Sequence, residues 1–190
     1  MKPLGALGRT ILLTSEKCRD GVKPWILASD AKGRHRVEMI AFYEFVFFFT
    51  HLTMRFAFTV MTETEDKHLW KHLLKYVGAV SVDATFESMP DDFRKRMITE
   101  FCENMHRAEV QYVKCAPTGD IFSGAKAEQE RNLDALFMTL GDNVASAIGR
   151  KGDSGLKLKI ATLAIEQFAS LHLLRLVLDF KRDSMGLPDD

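Results

Sequence analysis

Three ionisable residues interrupt the most apolar stretch of this 190-residue chain: in FYEFVFFFTHLTMRFAF, residues 42–58, phenylalanines surround Glu44, His51 and Arg55. An acid, an imidazole and a guanidinium in one place are the types that hold a polar ligand, coordinate a metal or neutralise one another. On a helix advancing about 100° per residue the three fall within about 20° of one line, roughly 17 Å long at 1.5 Å per residue. Phe47, Phe48, Leu52 and Phe58 flank that line, and the far side carries Phe42, Val46, Phe49, Phe56 and Val60. A helix apolar nearly all round is a buried one. The line is therefore the wet edge of a mostly buried helix, an interior ion-pair network, or a site. If it is interior, each charge needs a partner, because an unpaired ion taken out of water costs several kcal/mol.

Near the C-terminus Glu166, His172, Arg175 and Asp179 form a second set, among Ile160, Leu163, Phe168, Leu171, Leu174, Val177 and Leu178. His172, Arg175 and Asp179 share a sector of about 60°, while Glu166 points away with Thr162 and Ser170. Two buried helices, each with an acid, a histidine and an arginine, are expected to neutralise one another across their contact.

Other candidate chemistry is sparser. Glu103 and His106 have the Glu-x-x-His spacing with which bundle helices hold a metal pair, but the motif occurs once, and Arg107 offers Glu103 a surface partner four residues on. Such a site needs a second copy of the motif and two more glutamates from other helices, for which Glu44 and Glu166 are no more than conceivable donors. His68 and His72 sit one turn apart among Lys67, Lys71 and Lys75, without the intervening glutamate of a zinc protease, and read as a cationic solvated face. No nucleophile motif, phosphate-binding glycine loop or dinucleotide fingerprint is present. Cys18, Cys102 and Cys115 have neither disulfide-framework nor zinc spacing and read as reduced thiols of a cytoplasmic protein. No cofactor is implied.

The elements that must position these residues are helices. Residues 1–30, broken by Gly5, Gly8, Gly21 and Pro24, read as an arm or short helix anchored by Trp25, Ile26 and Leu27. Ser29 or Asp30 can cap a long helix over about 34–61. TETEDKH supplies a cap and an acidic first turn for a helix from 62 to about 77, with Gly78 as its stop. SMPDDF starts another, with Ser88 as cap and Pro90 in the first turn, and Phe93, Met97, Phe101, Met105, Ala108 and Tyr112 form one face of it to Cys115. APTGD closes it. Residues 125–148 carry a buried stripe of Leu133, Leu136, Phe137, Leu140, Val144 and Ile148. GRKGDSG is a loop, and a last helix runs over 156–185 to the stop signals of MGLPDD. The expected fold is all-α: one domain over 1–190, with an N-terminal arm (1–30), a bundle of about five major helices (31–185) and a tail (186–190).

Composition narrows function. Hydrophobic residues make up 46% and charged residues 27%, which is globular usage. Lysines plus arginines equal acids at 26 each, so no net field recommends nucleic acid, and the basic run Lys32, Arg34, His35, Arg36 is followed at once by Glu38. Three ionisable residues argue against residues 40–61 as a transmembrane segment. Fourteen phenylalanines and nine methionines exceed what one small bundle readily hides. The first expectation is a non-enzymatic binding module that self-associates as a homodimer or takes an apolar ligand. The alternatives are a metal- or ligand-dependent enzyme using Glu44, His51, Glu103, His106 and Glu166, and a peripheral membrane protein.

Overall fold

The computed structural model describes residues 2–27, 30–86, 88–115 and 126–184, which form seven α-helices and no strand. They are α1 (Lys2–Val22), α2 (Ala31–Val60), α3 (Glu63–Thr85), α4 (Asp91–Cys115), α5 (Lys126–Ala147), α6 (Ser154–Ala169) and α7 (Leu173–Ser184), with a 3-10 turn at Lys23–Trp25 after α1. Ser29 and the closing segments APTGD and MGLPDD lie outside the described residues, as does Ala125.

The phenylalanine-rich helix is the axis of the fold. α2 packs against α1, α3, α4, α5 and α7, and every residue from Phe45 to Arg55 is buried, three full turns with no face toward water. It is the one helix among the described residues long and apolar enough to cross a bilayer, and 67% of that apolar window is enclosed by its neighbours. Phe48 meets Tyr112 of α4 and Phe137 of α5 edge-on, with ring centroids 5.4 and 5.0 Å apart. Such pairs add to the burial that drives assembly.

Local chemistry sets the ends of α2. Asp30 caps its N-terminus, accepting the Gly33 N–H at 2.6 Å. At its C-terminus Lys181 of α7 donates to the Val60 carbonyl at 2.6 Å, supplying the positive charge that the last turn of α2 lacks. Thr62 and Glu65 then form a reciprocal capping box that starts α3. Thr62→Ala is expected to cost about 1 kcal/mol in urea denaturation, because it orphans the Glu65 N–H.

Five expectations need correction. The N-terminal segment is a 21-residue helix, not an irregular arm. Its glycines admit neighbours: a Cβ on Gly8 would stand 2.4 Å from the Tyr76 ring, and one on Gly21 2.7 Å from Leu163. Of the three proposed anchors after it, Ile26 is buried and Trp25 partly so, but Leu27 is 73% exposed. Gly78 does not stop α3, which continues to Thr85; a Cβ there would press on Phe101 at 2.8 Å, so glycine lets α4 cross closely. Ser88 does not cap α4 either: it has a positive φ of 55°, and the Pro90 carbonyl just outside the helix takes the first bond, from the Arg94 N–H.

The fifth concerns the last helix, which is two, bent by 48° at 170–172. Continued straight, the buried stripe Leu156, Ile160, Ala164 would bring Arg175 inward. The break turns Leu173, Val177 and Phe180 to the core instead. Ser170 marks it, its hydroxyl and N–H both bonded to the Gln167 carbonyl. With α1 added and the last helix divided, about five major helices become seven.

Candidate functional site

His51 and Arg55 are interior, 0% and 6% exposed, so for them the line of ionisable residues is no wet edge. The partner of His51 comes from α4: its Nδ1 lies 2.6 Å from Glu109 Oε2. Its other nitrogen, Nε2, accepts from Arg55 Nε at 3.3 Å. Because Arg55 can only donate, Nε2 carries the lone pair and Nδ1 the proton, which it gives to the carboxylate. Burial lowers the Arg55 pKa from its ordinary value and nearby Glu109 opposes this. Both ring nitrogens of His51 are thus committed, and the imidazole packs on Tyr112 with centroids 5.3 Å apart. This is a chain of compensated charge that locks α2 to α4, with no free lone pair for base chemistry.

Glu44, two helical turns nearer the α2 N-terminus, is in a different situation. It lines a cleft of about 370 Å³ shared with Ile40, Tyr43, Phe47, Asn104, Arg107, Ala108 and Gln111. Among the described residues it makes no ion pair; Arg107 instead bonds Asn104 Oδ1 at 3.2 Å and approaches Glu103 at 4.0 Å. Burial pushes the Glu44 carboxyl up to about 7, against the opposing effect of hydrogen bonding by Asn143 of α5. Asn143 also accepts from Gln111 at 2.9 Å and donates to the fully buried Tyr112 hydroxyl at 3.4 Å.

The folded protein therefore holds this proton to higher pH than the unfolded chain, whose carboxyl titrates near 4.5. Stability falls as pH rises from about 4.5 to about 7, then levels off. Glu44→Gln removes that slope: in denaturant titrations the variant should match the parent at pH 4 and exceed it at pH 8 by about 1–2 kcal/mol, allowing for partial exposure.

Beside this cleft a larger groove of about 960 Å³ opens between the first half of α2, the end of α3 and the start of α4. Met39, Tyr43, Phe47, Val82, Phe86, Met97 and Phe101 give it apolar walls. Its floor is fixed: the Tyr43 hydroxyl bonds Thr85 Oγ1 at 2.7 Å, and Phe101, seated on Gly78, meets Tyr43 and Phe47 at 5.8 and 5.2 Å. Ile40, Tyr43, Phe47 and Asn104 border both openings. At the α2 N-terminus the rim carries Lys32, His35 and Arg36, with Asp30 and Glu100 on the same walls.

No family model, curated protein or solved structure matches this chain.

The remaining candidates are dispersed. Glu166, His172 and Arg175 are exposed, and Asp179 is partly buried. The bend at 170–172 turns this set outward, and the charge that meets His51 comes from α4 rather than from the last helix. Glu103 and His106 lie on the exposed face of α4. The His68 and His72 rings lie 4.3 Å apart, tilted by 53°, on exposed positions. Among the described residues no three His, Cys, Asp or Glu side chains converge as a metal site would require. The three cysteines are free, and burial pushes the Cys18 thiol up to about 12, which leaves it unreactive.

Glu109 and Asn143 are the functional residues that sequence reasoning missed. Each adjoins a buried stripe residue, Ala108 and Val144. Glu109 also follows Met105 by four positions, the spacing that places an acid at the margin of a buried face.

Proposed function

We propose that the protein is a binding module for a small apolar or amphiphilic molecule, held in the groove between α2, α3 and α4. The observation that carries this is an apolar concavity of about 960 Å³ with a hydrogen-bonded floor. Small-molecule sites span about 300–1,000 Å³ and combine mostly hydrophobic walls with a few fixed polar groups. Both features are present, the polar groups being the Tyr43–Thr85 pair and Asn104. Methionines at 39 and 97 suit such a wall, because the thioether adapts to ligands of different outline.

The test is titration with a neutral naphthalene dye whose emission rises and shifts to the blue out of water. A saturable, single-site signal is expected, weakened at least tenfold by Met97→Trp, which fills the groove with indole. A non-saturable signal, or one indifferent to that substitution, removes the proposal.

Self-association as a homodimer is a second reading, resting on a different surface. Leu174 and Leu178, 42% and 39% exposed, stand one turn apart on α7 and line a shallow depression with Phe56 and Leu171. If this face is the contact, sedimentation equilibrium will give a dimer that Leu174→Glu converts to monomer. A parent chain monomeric at about 50 micromolar eliminates this reading.

A further inference from the structure

We propose that Glu44 receives the ammonium head of an alkyl amine whose tail lies in the adjoining groove. This rests on the groove reading above and adds the class of ligand.

Charge compensation along α2 fails at one position. The other interior ionisable groups of α2 are compensated: His51 lies between Glu109 and Arg55, and Arg55 is also held electrostatically by Glu109. Glu44 alone on that line is a largely buried carboxyl without an ion pair among the described residues, and it opens on a cleft rather than on packed side chains. The groups that face it are few. From α4 come Arg107, turned to Asn104 and Glu103, the Gln111 amide and the Tyr112 phenol; from α5 comes Asn143. Glu44 lacks a cationic donor close enough to satisfy it, and a ligand can bring one. A charge-assisted bond in a partly desolvated cleft discriminates strongly for such a ligand.

An anionic head at the other end of the groove is less well matched. Lys32, His35 and Arg36 share their rim with Asp30 and Glu100, so that end is close to neutral. The tail is expected to run from Glu44 past Ile40, which borders both openings, onto Tyr43, Phe47 and Met97. An ammonium binds the ionised carboxylate, so the amine should bind more tightly above pH 7 than below. Burial of Glu44, which favours its protonated form, gives the same sign.

Calorimetric titration of the full chain with decylamine, decanol and decanoate, each below its aggregation range, tests this. At pH 8 decylamine is expected to bind at least about tenfold more tightly than decanol, the discrimination a charge-assisted bond provides. The advantage should shrink at pH 6, where the amine is still charged but Glu44 is largely protonated. Glu44→Gln should erase it, with the circular dichroism of the variant reporting an intact fold, and Met97→Trp should weaken all three. If decanol and decanoate bind as well as the amine, or if Glu44→Gln keeps the amine preference, the assignment of Glu44 is overturned and the groove reading stands. If none of the three binds, the groove reading falls with it.

Discussion

Gly141→Ala will cost the protein about 2 kcal/mol net, although alanine is the better helix former. Gly141 lies in α5 where α6 crosses it, and a Cβ there would stand 2.5 Å from the carbonyl oxygen of Lys157 and 3.1 Å from the Lys157 Cγ. A long side chain can swing aside; a helix backbone cannot. Relief requires α6 to shift against α5, which would also move Leu156, Ile160 and Ala164 out of the core they now fill. Overpacking of a tight core costs about 1–3 kcal/mol, and a clash with backbone belongs at the upper end. The gain in helix propensity, about 1 kcal/mol, works in the opposite direction and is smaller. Urea denaturation followed by circular dichroism measures the balance. An unchanged or raised midpoint would show that α6 accommodates the added methyl at no net cost.

His51→Ala is expected to be at least as damaging, about 3–4 kcal/mol. It removes a fully buried ring packed on Tyr112, and it strips Glu109 of its Nδ1–H donor and Arg55 of an acceptor. Leaving a desolvated charged group without its hydrogen bond costs about 1–3 kcal/mol or more, and the cavity left by the ring adds to this. The 26% exposure of the Glu109 side chain moderates this. His51→Asn separates the two contributions, since its amide N–H can replace Nδ1 toward Glu109 but leaves the outer half of the ring as a void. It should recover roughly half the loss. Equal destabilisation by alanine and asparagine would show that packing alone, not the hydrogen-bonded chain, makes His51 necessary.

These variants also show how far local pattern reaches. The interior position of α2 is legible in residues 42–60, because apolar side chains on every face leave nowhere for the helix but inside. The α2–α3 corner is legible too: Thr62 and Glu65 are three apart, and a capping box needs no information from elsewhere in the chain. The same holds for the α4 face, where Phe101, Met105, Ala108 and Tyr112 are all buried. Glycine was the misleading signal. At 8, 21 and 78 it serves contacts with Tyr76, Leu163 and Phe101, and nothing within a few residues of any of them distinguishes a crossing point from a helix stop.

The sequence by itself determined the helical class, the burial of the phenylalanine-rich helix and the presence of ionisable groups within it, because periodicity and capping act over a few residues. Which of those groups are neutralised was decided by tertiary structure alone. Glu109 lies 58 positions from His51, and Asn143 is farther still from Glu44. Such pairings depend on how α4 and α5 are rotated about α2, and that rotation is set by the whole core at once. The same packing left Glu44 at the edge of an open cleft, two turns from a histidine whose every polar atom is satisfied.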